Sequence, residues 1–87
     1  MFELTDHPID SAALRARLTR PDAGACVVFE GWVRNHHLGQ PVRELHYEAF
    51  DLMAKFEGNS IIAEIEQRFP GCAVFCVHRT GALHVGQ

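Results

Sequence analysis

The residues most suited to chemistry fall in one stretch, Phe29-Glu30-Gly31-Trp32-Val33-Arg34-Asn35-His36-His37-Leu38-Gly39. Arg34 carries a planar fork of donors that matches phosphate or carboxylate oxygens. His36 and His37 donate hydrogen bonds and titrate near neutral pH. Asn35 and Gly39 tolerate unusual backbone angles. Together these types suit the capture of a small anion at a loop. The plainer alternative is a solvated hairpin loop whose arginine pairs with a nearby acid, and the residue types alone leave both open.

Other arrangements are less productive. His36 and His37 are adjacent, so in an extended segment they point to opposite sides. Cys72 and Cys76 share a face of an expected strand, roughly 13 Å apart at four residues' rise. That separation exceeds the reach of a shared zinc or a disulfide. We therefore expect three buried, inert thiols, Cys26, Cys72 and Cys76, and no metal or other cofactor. An odd cysteine count without a secretory leader fits a cytoplasmic protein. No nucleophile–base pair is legible. His78-Arg79 is expected at the end of a strand, as a surface pair or facing a ligand. Lys55 is the only lysine and is expected on a solvated helix face.

The elements that would position the Arg34 loop are short. Asp10 is an expected N-cap for a helix from Ser11 to about Thr19, ended by Pro21-Asp22-Ala23-Gly24. Residues 25–34 are rich in Val, Phe and Trp. Both faces are apolar, so we expect a central strand covered on both sides. A polar loop, Asn35 to Pro41, leads to a strand from Val42 to Phe50. Asp51 opens a helix to about Phe69, with apolar residues at helical spacing. Gly58 costs that helix about 1 kcal/mol relative to alanine and is expected to bend or delay it. Pro70-Gly71 stops it, and Cys72 to His78 forms a strand. Ala82 to Val85 begins a further element. The order reads as one α+β domain spanning residues 1–87. Its last strand has an unpaired edge, so we expect a further C-terminal portion or a partner.

Composition narrows the function. The chain has 87 residues, 47% of them hydrophobic, with 8 basic and 11 acidic residues and a formal net charge of -3. This balance disfavours a general nucleic-acid role. No stretch is apolar enough for a membrane span.

The stretch Asp22-Ala23-Gly24-Ala25-Cys26-Val27-Val28-Phe29-Glu30-Gly31-Trp32-Val33-Arg34-Asn35-His36-His37-Leu38-Gly39 resembles the catalytic (large) subunit of molybdopterin synthase, the MoaE family. That family carries a Gly-Ala strand followed by Phe-x-Gly-x-Val-Arg-Asn-x-x-x-Gly. The likeness continues through Leu45-His46-Tyr47-Glu48-Ala49-Phe50, Met53, and Val77-His78-Arg79-Thr80-Gly81-Ala82-Leu83. The resemblance implies an α/β-hammerhead fold, here C-terminally truncated, and a homodimer. It implies as partner a small ubiquitin-like sulfur-carrier subunit with a thiocarboxylated C-terminus. Sulfur would pass from that carrier to a pterin substrate, cyclic pyranopterin monophosphate, without a metal. By position, Arg34 would bind the pterin phosphate, and Trp32 and Val33 would contact substrate. Phe29 would be a pocket wall, with His36 beside it. The family often has a basic residue where Trp32 stands. Its catalytic lysines, and a His-Arg pair completing the pocket, belong to a segment beyond Gln87. None of the catalytic residues is therefore expected within these 87. His78-Arg79 is not that pair. The competing readings are a non-catalytic module that keeps a dimer or carrier surface, and an unrelated α+β domain that dimerises through its edge.

Overall fold

The computed structural model describes residues 1–47 and 51–87, without the side chain of Tyr47. Glu48, Ala49 and Phe50, the end of the expected 42–50 strand, lie outside the described residues. The elements run β1 (Phe2–Thr5), α1 (Ser11–Leu18), β2 (His36–His37), β3 (Gln40–Pro41), β4 (Glu44–Tyr47), α2 (Asp51–Arg68), β5 (Cys76–Arg79) and β6 (Gly81–His84). The architecture is mixed α and β, as the sequence leads one to expect. The strands pair as three two-stranded units: β1 with β5, β2 with β3, and β4 with β6.

The first helix forms where its cap places it. The Asp10 carboxylate accepts the Ala13 N–H at 3.0 Å, satisfying one donor of the first turn. Arg15 and Arg17 occupy the last turn, where cations complement the carbonyl end. Arg17 also sits 5.1 Å over the Phe75 ring and 3.6 Å from Glu3. The strand β1 is not foreseen from the sequence. Four residues give too little alternation to register, yet β1 pairs in parallel with β5 from Phe2↔Cys76 to Thr5↔Arg79. Parallel neighbours need a long crossover, and here everything between them provides it.

The second helix runs unbroken through Gly58, contrary to the expected bend. The reason is packing. A Cβ at residue 58 would lie 2.3 Å from Cγ of Phe2. The missing side chain lets β1 lie close against α2. Asn59, the next residue, accepts the Phe2 N–H at 3.1 Å and donates to the Lys55 carbonyl at 2.9 Å. Glycine's helical cost is thus offset by close approach of a strand.

The expected central strand at 25–34 is the main correction. No ladder forms over 23–32, and Val27, Phe29 and Trp32 are 91%, 93% and 72% exposed. Among the described residues no strand lies alongside 23–32 to cover its apolar faces, and only Val33 at its end is buried. The thiols are corrected too: Cys26, Cys72 and Cys76 are all free and exposed. Cys72 precedes β5 rather than lying in it. The described core is small, consisting of Val33, Ile62 and Leu83. The chain is correspondingly open. Its radius of gyration is 15.1 Å, against about 12 Å for a compact domain of this length. Its accessible surface is 7188 Å², against roughly 5,200 Å² for a compact monomer of this mass. Among the described residues no helix is long and apolar enough to cross a membrane.

Gly58→Ala should destabilise the chain by about 1–3 kcal/mol, the usual cost of overpacking, despite alanine's better helix propensity. Chemical denaturation checks this. The loss should shrink when Phe2 is also replaced by alanine, and a stabilised single mutant would contradict the packing role.

Candidate functional site

The Arg34 loop is a tight hairpin rather than an irregular loop. His36 pairs with Pro41 and His37 with Gln40 in antiparallel register. The two residues between them, Leu38 and Gly39, have φ of 50° and 76°. Positive φ at both central positions is the signature of a type I′ turn, whose twist matches that of hairpin strands. The Val42 N–H donates to the Asn35 carbonyl at 2.8 Å and extends the pairing by one step. Sequence reasoning expected the special backbone at Asn35 and Gly39. It missed Leu38, a residue type that seldom enters the left-handed region.

The base of this hairpin is fixed at Val33, which is 8% exposed. Its N–H donates to the Gln87 carbonyl, and its carbonyl accepts the Gly86 N–H, both at 2.8 Å. Arg34 follows directly and projects from that fixed point. Its Nη2 lies 3.0 Å from Nδ1 of His37. Arginine only donates, so Nδ1 of His37 accepts and Nε2 holds the ring proton. His36 Nδ1 donates to the Asn35 side-chain oxygen at 2.9 Å. The two histidines thus reach different partners, as adjacent residues on a strand must. Among the described residues Arg34 has no carboxylate partner.

The expected site residues divide into two places. Arg34, His36 and Val33 belong to the hairpin. Phe29 and Trp32 line a groove of about 490 Å³, together with α1, Phe75, Val77, Arg79 and Gln87. Arg34, His36 and Val33 do not line that groove. The chain therefore places Trp32 and Arg34 on either side of Val33 without gathering them around one cavity. Lys55 is exposed on α2, as expected.

A further polar cluster was not foreseen. Glu44 and His46 share one face of β4, and His84 stands opposite Glu44 in register. His46 Nε2 donates to Glu44 at 2.8 Å. This hydrogen bond, then the charges of His46 and His84, hold the Glu44 carboxyl below the ordinary glutamate range. The spacing Glu44-x-His46 on a strand was the available signal. No group of three or more His, Cys, Asp or Glu side chains among the described residues is placed to hold a metal ion.

With the geometry in place, the relatives can be compared. The family model of the MoaE protein matches residues 4–87. Molybdopterin synthase catalytic subunit 1 of Mycobacterium tuberculosis is 39% identical over 83 residues, covering 95% of this chain and 56% of its own length. The catalytic subunit of Bacillus subtilis is 35% identical over 86 residues, 99% of this chain and 55% of the relative. That of Thermoplasma volcanium is 39% identical over 81 residues, 93% of this chain and 59% of the relative. The chain belongs to the MoaE family. It spans a little over half the length of these relatives.

A carboxylate stabilised by partners contributes to folding above its ordinary pKa, and the contribution is lost as pH falls through the lowered value. We expect an NMR titration to place Glu44 below an ordinary glutamate. His46→Ala should move it back up. An unchanged Glu44 titration in that variant would show the pairing to be idle.

Proposed function

We propose that the chain serves molybdenum cofactor biosynthesis as the Arg34-bearing part of a molybdopterin synthase catalytic subunit. In this reading it acts in the cytoplasm and forms part of an α/β-hammerhead domain that dimerises. The reaction passes sulfur from a thiocarboxylated carrier subunit to cyclic pyranopterin monophosphate. Support comes from membership of the MoaE family and from the names of the relatives. The carrying observation is Arg34 itself. It is exposed, held by an imidazole nitrogen with no carboxylate partner among the described residues, and projects from a backbone pinned at Val33.

The role of each residue follows from its place. Arg34 offers its remaining guanidinium donors to the substrate phosphate. His37 orients that fork by accepting one of its hydrogens. His36 already donates its Nδ1–H to the Asn35 side chain, so it offers a second donor at Nε2 only when the ring is doubly protonated. Val33 sets the position of Arg34 through its backbone. Phe29 and Trp32 present flat apolar surfaces to the pterin side once the neighbouring groove is filled. The 87 residues by themselves hold the anion-binding element and not the lysines that the resemblance places in a later segment. We therefore expect no carrier-dependent conversion of the pterin precursor by the 87-residue chain alone.

The test is calorimetric titration of cyclic pyranopterin monophosphate into the chain and into Arg34→Ala. Losing a charge-assisted hydrogen bond should weaken binding by about 1.5–3 kcal/mol. Equal affinity in the two proteins would remove Arg34 from the site.

A further inference from the structure

The contact between Arg34 and His37 admits only one protonation state of the Nδ1 atom. Nη2 of Arg34 lies 3.0 Å from Nδ1 of His37. A guanidinium stays charged throughout the physiological range and only donates. The hydrogen bond therefore needs a bare Nδ1, and a proton arriving there turns the acceptor into a donor. Two donors, each on a cation, would then face one another at hydrogen-bond distance. Histidine is the side chain that ordinarily makes this change between about pH 5 and pH 8.

The backbone leaves neither residue free to withdraw as a whole. Arg34 follows Val33, which is bonded to Gly86 and Gln87 at 2.8 Å each. His37 is paired with Gln40 beside the turn in which Leu38 and Gly39 both have positive φ. Relief comes from rotation of the two side chains, or from an anion that accepts from both. Neighbouring oxygens of one tetrahedral oxyanion suit two such donors. Counter-charge is scarce here. Asn35 and His36 are bonded to each other. The partner strand β3 brings Gln40 and Pro41, which do not titrate. Arg43 and Glu44 come next along the chain, and the Glu44 carboxylate is bonded to His46. Among the described residues no acid pairs with Arg34 or His37.

We propose that His37 is a second, proton-gated binding residue of the Arg34 site: unprotonated at Nδ1 it holds the arginine fork, and protonated there it joins Arg34 in binding a doubly charged tetrahedral oxyanion, the chemistry of a phosphate monoester. Acidification then strengthens anion binding, and a bound anion draws a proton from solvent onto His37 by reciprocity. This regulation rests on the reading of Arg34 as the anion-binding residue.

Inorganic sulfate is the probe, because it stays doubly charged across the histidine range. Calorimetric titrations at about pH 8 and about pH 5.5 bracket that range. We expect sulfate to bind about fivefold more tightly at the lower pH, the upper end for an exposed charge pair. His37→Gln keeps an acceptor for Arg34 and does not titrate. It should retain the affinity seen at the higher pH and lose most of the gain, whereas a merely structural His37 would shift both affinities alike. His36→Gln should keep most of the gain. Long-range proton–nitrogen NMR spectra of the imidazoles give a second readout in the unmutated chain. At the higher pH, Nδ1 of His37 should carry no proton, and adding sulfate midway through the range should raise the doubly protonated fraction. A full gain in His37→Gln, no gain in the unmutated chain, or a protonated Nδ1 at the higher pH would overturn the proposal. Arg34→Ala separates the two levels. Sulfate binding unchanged in that variant refutes the Arg34 reading itself, and Arg34-dependent binding without a pH response refutes only the gate.

Discussion

The pair of backbone hydrogen bonds between Val33 and the Gly86–Gln87 turn is the constraint on which the described site depends. It joins residues more than fifty positions apart and places Val33 in the small core with Leu83. Each such bond contributes only about 1 kcal/mol net. Its larger effect is positional. Over residues 23–32, just before Val33, the backbone makes no ladder, and downstream it turns at once into the type I′ hairpin. Arg34 is thus the first residue after a fixed point, and its fork is oriented by His37, with no acid paired to it among the described residues. An exposed arginine held in this way keeps its charge available to a ligand.

The same link accounts for the openness of the rest. On one flank, β1 pairs with β5 and packs on α2 through the close approach at Gly58. On the other, β4 and β6 pair and carry the turn that reaches Val33. Between these flanks lies the groove, and apolar residues that ordinarily fill a core face it or face solvent. The α2 helix adds to the exposed apolar surface, with Leu52 and Phe56 87% and 74% exposed. A chain of this size has little burial to spare, so the covering of these surfaces and the stability of the fold are one question.

Much of this was legible in the sequence, and the misses have identifiable causes. Both helices follow from Asp10, Asp51 and apolar residues at helical spacing, because caps and periodicity are local signals. The 25–34 segment reads as a central strand because its residue types have been shaped for a covered environment. Composition reports the environment a segment is suited to, and pairing depends on a neighbour that local pattern does not supply. The strand at Phe2–Thr5 was missed because four residues paired with a strand over seventy positions away leave almost no local trace. Gly58 was read as a helix defect, since only the position of the Phe2 ring reveals its use. At the site, the suitability of Arg34 for an anion was readable from residue type. Its partner, His37, required the hairpin register, and the separation of Phe29 and Trp32 from Arg34 required the three-dimensional path on either side of Val33.

Amide exchange at Val33 and Gly86 in the unmodified chain probes this arrangement most directly. If the link holds the site, both amides exchange more slowly than those of Trp32 and Glu30, which precede Val33 and have no such backbone partner among the described residues. If Val33 and Gly86 exchange as fast as Trp32 and Glu30, the hairpin is not anchored. The placement of Arg34 argued from that anchor would then be wrong.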